Sequence, residues 1–279
     1  MKTPVITPFR IVMAVLVSGL VLVGFAYATA VRRPLVREAR VSLADWPPAE
    51  PPLRVVLASD LHVIGPDMPP ERLGQIVEQI NALRPDLVLF AGDFIGSKML
   101  STRSYSFDEA LAPLRGLRSR LGSHAVLGNH DHWEDAAAAS RALSGVGVNL
   151  LSNQAVRVGP LSLGGLDDEY TGHDDLPATL SAMEQLGGAR LLLSHVPDRF
   201  PELPAKSFLM LAGHTHCGQI APPLMGPLVT FSRHGTRYAC GRVDERGNTL
   251  IVSAGLGTSL LPFRLGAVPD MWLLEVGPD

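Results

Sequence analysis

At 279 residues, with 46% hydrophobic but only 6% aromatic side chains, the chain can bury a full core as one large α/β domain or two small ones. Its formal charge of −3 is unevenly spread: residues 1–52 carry six basic and three acidic groups, which leaves 18 basic against 24 acidic beyond them, a net of −6. No basic run longer than a pair follows Arg33, so the footprint of a nucleic-acid binder is missing, whereas an acidic domain can hold cations. Cys217 and Cys240 are too few for a disulfide scaffold. They read as buried thiols, or as one bridge if the domain faces an oxidising compartment.

The first element is apolar. Ile11 to Val31 is 21 residues without a charge, about 32 Å as a helix and enough to span a bilayer's hydrocarbon. A cleaved signal peptide is the competing reading, with Lys2 and Arg10 in front and Ala28-Thr29-Ala30 behind, but the run exceeds a usual signal core and predicts an uncleaved anchor over residues 1–31. Arg32, Arg33, Arg37 and Arg40 behind the helix outnumber Lys2 and Arg10 before it, which leans toward a cytoplasmic domain. Residues 32–52 end in Asp45-Trp46-Pro47-Pro48-Ala49-Glu50-Pro51-Pro52 and predict a stiff linker, so that the globular domain runs from Leu53 to Asp279.

Within that domain, Leu53–Ala58 predicts a first strand, and Pro70 to Leu83 a helix with Leu73, Ile76, Val77, Ile80 and Leu83 on one face. Asp86–Ala91 predicts a strand, Phe107–Leu117 a helix, His124–Leu127 a strand and Glu134–Leu143 a helix. Two or three strands follow between Val148 and Leu166, then a helix capped by Asp174 or Asp175 with Pro177 in its first turn. Arg190–Leu193 and Ser207–Ala212 predict strands, Pro222 to Gly235 a long loop over their ends, and Thr249–Ala254 and Met271–Val276 two late strands. Strands alternating with helices argue an α/β domain without an internal repeat.

Five of these strands run straight into Asp, His or Asn: Asp60 with His62, Asp93, Asn129-His130-Asp131, His195, and His214 with His216. In open α/β sheets ligands collect at the carboxyl ends of strands. Carboxylates, imidazoles and one amide oxygen suit Mn²⁺, Fe²⁺ or Zn²⁺ rather than a thiolate site, and there are enough of them for two ions. His214 and His216, spaced i, i+2 at a strand end, point opposite ways, which is awkward for one ion and convenient for two.

Asp60-x-His62, Gly92-Asp93, Gly128-Asn129-His130-Asp131, His195 and Gly213-His214-x-His216 together resemble the motif set of the calcineurin-like metallophosphoesterases, over about residues 53–276. The resemblance implies a four-layer α/β/β/α sandwich of two mixed sheets, here behind an N-terminal transmembrane helix. It also implies a binuclear phosphoester hydrolase in which a metal-bridging hydroxide attacks phosphorus in line. By that likeness Asp60, His62, Asp93 and His216 would hold one divalent ion, and Asp93, Asn129, His195 and His214 the other. His130 would act at the leaving oxygen without ligating, oriented by Asp131. Ser59-Asp60-Leu61-His62, His214-Thr215-His216-Cys217-Gly218-Gln219-Ile220 and Ser253-Ala254-Gly255-Leu256-Gly257 with Pro262 and Arg264 resemble a membrane-linked phosphodiesterase subgroup. Some of its members are UDP-2,3-diacylglucosamine pyrophosphatases of lipid A biosynthesis. That implies a phosphoester substrate, lipid-linked in such members, and a single-pass protein of a bacterial-type cytoplasmic (inner) membrane. Cys217 departs from the glycine often expected at its position, and reads as a small side chain that fits, a redox-sensitive neighbour, or the partner of Cys240.

Other candidates stay outside this set. His124, His173 and His234 read as surface histidines, His132 matches no ligand position, and Arg233, Arg237 and Arg264 read first as solvated loop arginines, with phosphate contact the alternative. His130-Asp131-His132-Trp133-Glu134-Asp135 fails the His-x-His-x-Asp-His pattern of binuclear β-lactamase-type hydrolases, and no His-Glu-x-x-His of a metalloprotease occurs. The alternative to an enzyme is a catalytically inactive metal- or phosphate-binding module on the same fold, whose mark would be a lost ligand.

Overall fold

The computed structural model describes residues 7–278, so Lys2 and its share of the charge count lie outside the described residues. Helix α1 (Pro8–Val31) has a mean hydropathy of 2.5 in its most apolar window, and nearly all of its side chains are exposed. By length and composition it can cross a membrane. Only its last turns dock, through Ala26, Thr29 and Ala30.

Two six-stranded sheets follow. The first has the order β1 (Leu35–Ser42), β12 (Asp270–Gly277), β2 (Leu53–Ala58), β3 (Leu87–Ala91), β4 (Ser123–Val126) and β5 (Val148–Leu150), and it is parallel except where β12 meets β2. The second has the order β10 (Gly241–Glu245), β11 (Asn248–Val252), β9 (Phe208–Ala212), β8 (Ala189–Leu193), β7 (Leu161–Gly165) and β6 (Gln154–Val158), with antiparallel pairs at its two edges. Helices α2 (Pro70–Ala82), α3 (Phe107–Leu111) and α4 (Asn129–Gly145) cover the first sheet, and α5 (Leu176–Leu186) lies against β6 and β7 of the second. This is the expected four-layer α/β/β/α arrangement.

The layering follows from side-chain alternation. On β2, Val55 and Leu57 face the space between the sheets while Val56 and Ala58 face the helices; on β9, Leu209 and Leu211 face inward while Phe208, Met210 and Ala212 face the outer layer. Period-two strands that are apolar on both faces belong in the middle of such a stack. The inner core, with Leu57, Leu89, Leu193, Leu211 and Ile251 at 0% exposure, presses the sheets face to face, so their carboxyl ends meet at one rim.

Three local expectations are corrected. The linker expected over 32–52 contains β1, which pairs in parallel with β12 from Leu35↔Asp270 to Ser42↔Gly277, so only the stretch after Ser42 connects it to β2. Its Arg37 is ion-paired with Asp270 at 2.5 Å and its Arg40 with Glu275 at 3.4 Å. The helix expected from Phe107 ends at Leu111 and tightens into a 3₁₀ turn over Ala112–Gly116, because Pro113 has no amide hydrogen for the helical ladder. The helix expected from Glu134 starts at Asn129, with a break at Asp135.

Candidate metal centre

Each strand end turns sharply as it reaches the rim. Asp60, His62, Asp93, His214 and His216 all have positive φ, between 42° and 68°. Non-glycine residues in that region cost about 1–2 kcal/mol each, and such strain persists only where the surroundings over-determine it. Here the neighbouring turns hold one another: the Asp60 amide donates to Gly92 O at 3.0 Å, the His62 amide to Asp93 O at 2.9 Å, and the His214 amide to the Asp60 carboxylate at 3.1 Å. Glycine is required where two turns touch. A Cβ on Gly128 would sit 2.3 Å from Asp93 Oδ1, and one on Gly213 would sit 2.4 Å from Asp60 Oδ2.

The donor atoms converge in two groups. In the first, His216 Nε2 lies 3.2 Å from His62 Nε2 and 3.5 Å from Asp60 Oδ1, and His62 Nε2 lies 3.4 Å from Asp93 Oδ2. In the second, Asn129 Oδ1 is 3.1 Å from both His195 Nε2 and His214 Nδ1, which are 3.2 Å apart, and His195 Nε2 is 3.4 Å from the same Asp93 Oδ2. One oxygen of Asp93 thus stands between the groups. All seven side chains are at most 7% exposed. Two neutral imidazole nitrogens facing each other at 3.2 Å can share one proton at most, and with carboxylate or amide oxygens beside each pair the convergent lone pairs suit cations.

Electrostatics points the same way. Burial raises Asp60 to about 7, and burial lowers His62 and His216 well below the usual imidazole range. Burial also works against charge on Asp93 and on His195, but each sits beside the other; the carboxylate is held well below its ordinary value and the imidazole well above. His214 is lowered to about 3, first by burial and then by His195. A buried cluster that rejects protons on three of its four imidazoles is a set of neutral nitrogen ligands.

His130 stands at the edge of this floor. Its amide donates to Asp93 Oδ1 at 2.9 Å, and its ring lies 4.8 Å from that of His62 and 5.0 Å from that of Trp133. Asp131 does not orient it. The Asp131 carboxylate is fully buried and accepts backbone amides from Asp93 and Phe94 at 2.9 Å and from Gly128 at 3.0 Å, which ties the Asp93 turn to the start of α4. Burial pushes it up to about 7, and the amide bonds from Gly128 and Phe94 pull the other way.

The remaining candidates are placed plainly. Arg264 is 0% exposed and lies behind the centre, its guanidinium 3.3 Å from His216 Nδ1 and donating to Ala254 O at 2.7 Å and Gly255 O at 3.1 Å, so it backs a ligand rather than a substrate phosphate. Arg233 pairs with Glu169, and Arg237 with Glu245 at 2.9 Å. His132 pairs with Asp167 at 2.7 Å and stacks on His173 at 4.1 Å, while His234 bonds Asp198 O at 3.2 Å. His124, expected at the surface, lies inside β4 at 7% exposure. Cys217 is bridged to Cys240, with Cα atoms 4.8 Å apart, and its φ of 51° is the reason glycine suits that position. Sequence reasoning missed the walls of the cavity above the floor, about 190 Å³ in volume: Ser97, Trp133, Tyr170, Phe231 and Leu260. No spacing signal marks them, since Trp133 comes from the start of α4 and the others from separate loops.

This geometry has a counterpart in known proteins. Residues 53–218 match the model of the family described as calcineurin-like phosphoesterase. The chain belongs to that family. As a calcineurin-like phosphoesterase it is 29% identical over 279 residues to a zebrafish (Danio rerio) "transmembrane protein with metallophosphoesterase domain", covering 93% of this chain and 61% of the relative. A bovine (Bos taurus) protein of the same description is 32% identical over 273 residues, covering 89% and 59%. An uncharacterized metallophosphoesterase of Bacillus subtilis is 30% identical over 228 residues, covering 78% and 77%. The chain therefore spans about three fifths of the length of the two vertebrate relatives.

Proposed function

We propose that the chain is a binuclear, metal-dependent phosphoester hydrolase, a phosphodiesterase or pyrophosphatase, anchored by α1 beside its substrate. The observation that carries this reading is Asp93 Oδ2, 3.4 Å from both His62 and His195, which places one carboxylate oxygen between two complete donor groups. Asp60, His62, Asp93 and His216 would hold one divalent ion, and Asp93, Asn129, His195 and His214 the other; Mn²⁺, Fe²⁺ and Zn²⁺ all suit these donors. Such a pair of ions, when bound, would polarise a phosphoryl oxygen and lower the pKa of a bound water.

The chain's own residues do the rest. His130 stands over the floor at the side of the cavity, and burial lowers its pKa, so near neutrality its ring is neutral and offers an N–H to the leaving oxygen. Asp131 holds the Asp93 turn and the Asn129 turn in register through its accepted amides. Trp133, Tyr170, Phe231 and Leu260 wall the cavity and leave room for one phosphate group and part of its bearer.

The anchor favours a substrate carried at a bilayer, of which UDP-2,3-diacylglucosamine is one representative. The Cys217–Cys240 bridge favours a domain on the oxidising outer face of a cytoplasmic membrane. It opposes the count of basic residues flanking α1. Hydrolysis of bis-p-nitrophenyl phosphate by the full chain in lipid nanodiscs with Mn²⁺, Fe²⁺, Co²⁺ or Zn²⁺ tests the activity. Metal-dependent release of nitrophenol is the expected result, and metal binding without any hydrolysis would favour an inactive binding module instead.

A further inference from the structure

Next to the metal cavity lies a second one, a groove of about 250 Å³ whose walls include Ile220, Leu228, Val229 and Leu261. It is not a separate feature of the surface. His216, Phe231, Ser259 and Leu260 line both spaces, so the groove opens from the floor that holds the donors. Its lining is mostly apolar, from Ile220, Leu228, Val229, Phe231, Leu260 and Leu261, while the metal cavity presents Asp93, Asn129 and histidines. A ligand occupying both would be anionic at one end and hydrocarbon at the other.

The groove is also built rather than accidental. Gln219, directly after the His214–Gly218 turn, donates through its side-chain amide to Ser259 O at 2.9 Å and Leu261 O at 3.1 Å, and accepts from the Ser259 amide at 2.7 Å. Leu260 O accepts the Met99 amide at 3.0 Å. The opposite wall is the 222–231 loop, which the Cys217–Cys240 bridge closes at its base. Beyond the groove this loop leaves Leu224 and Met225 exposed, at 108% and 72%, and extends its apolar lining outward.

Its position gives the occupant. Three residues after Leu261, at most about 11 Å of chain, the Arg264 amide donates to Ala26 O at 3.0 Å, in the docked end of α1. The Arg72 guanidinium holds the next turns of the same helix end, at Ala30 O and Arg32 O, both at 3.0 Å. The groove wall is thus clamped to the point where the apolar helix leaves the domain, which is where a bilayer surface would begin.

We propose that this groove receives an acyl chain of a membrane lipid phosphoester while the phosphate of the same molecule rests on the metal centre. The inference rests on the phosphoesterase reading and specifies its substrate class: an acylated phosphoester presented from the bilayer, not a free nucleotide. Burial of hydrocarbon strengthens binding about fourfold per methylene, so chain length should be read directly in the specificity constant.

The test uses the full chain in lipid nanodiscs and a series of alkyl p-nitrophenyl phosphate diesters with methyl, butyl, octyl and dodecyl chains. For the wild type, kcat/KM should climb at least a hundredfold from methyl to octyl. In Leu228→Asp and Val229→Asp, which put a charge into the groove, the climb should flatten to less than tenfold; because the slope is internal to each protein, a loss of folded material does not imitate it. A flat series in an active wild type overturns the proposal, and so does a climb that survives in both variants, which would mark partition into the bilayer. If no diester is hydrolysed with any metal, the activity reading fails by itself, and binding decides the groove. Dodecylphosphonate binding at least tenfold tighter than methylphosphonate, lost in Leu228→Asp, supports it, and equal binding overturns it.

Discussion

The floor of the site and its rim are built on opposite principles. The floor residues Asp60, His62, Asp93, Asn129, His195, His214 and His216 are at most 7% exposed and sit on turns that the two packed sheets lock together. The rim residues Trp133, Tyr170, Phe231 and Leu260 are 48–61% exposed; Trp133 projects from the first turns of α4 and meets the Tyr170 ring edge to face at 6.0 Å, while the other three come from separate loops. A floor of this kind fixes the chemistry, since donor positions cannot relax, while a rim of this kind leaves substrate choice to loops that can change without cost to the core.

The sharpest way to break the contrast is to remove the atom the floor depends on. Asp93→Ala should lose both bound ions and all turnover, measured as metal content and hydrolysis of bis-p-nitrophenyl phosphate; a variant that keeps two ions would refute the bridging role. His130→Ala lies at the boundary between floor and rim, and should keep its metal while turnover drops about 10²–10⁴-fold. Retained full turnover would remove His130 from the reaction.

Asp131→Asn probes support beneath the floor. An amide nitrogen turned toward the Asp93, Phe94 and Gly128 N–H groups repels them, and metal affinity should weaken about 10–100-fold, read by competition with a chelator. Cys217→Ser opens the strap under the rim. The 23-residue separation predicts about 3 kcal/mol lost in denaturant unfolding, with the metal retained, and an unchanged unfolding midpoint would mean the bridge constrains nothing.

The smallest effect lies far from both regions. His124 is buried in β4 and its pKa is lowered, first by burial, so the unfolded chain takes up a proton near pH 6.5 that the folded chain refuses. The stability tied to this residue is complete above pH 6.5 and falls away as the pH drops below it. His124→Gln should reduce the fall in melting temperature between pH 7 and 5.5; an identical fall in both proteins would show that the ring takes up its proton alike in the folded and unfolded chain.

The same division explains what could be read from the residues alone. The floor was legible because apolar runs such as Leu87–Ala91 and Phe208–Ala212 end abruptly in ligand-type residues, and a buried strand that runs into a charge needs a partner for it. The rim was not, because Trp133, Tyr170 and Leu260 share no local pattern and meet only through the fold. Strand β1 escaped for a related reason: Leu35–Ser42 interleaves Arg37, Glu38 and Arg40 with modest apolar residues, and its partner β12 is the last strand of the chain. Asp131 was placed in the right cluster but on the wrong neighbour, since four nearby backbone amides compete better for a buried carboxylate than one imidazole does.

The central claim is that the two packed sheets assemble a centre for two ions around Asp93. Metal analysis of the purified full chain, paired with anomalous diffraction at the metal edge, tests it most directly. Two ions per chain, one flanked by Asp60, His62 and His216 and the other by Asn129, His195 and His214, is the predicted result. A single ion, or a pair that leaves Asp93 unshared, would contradict it.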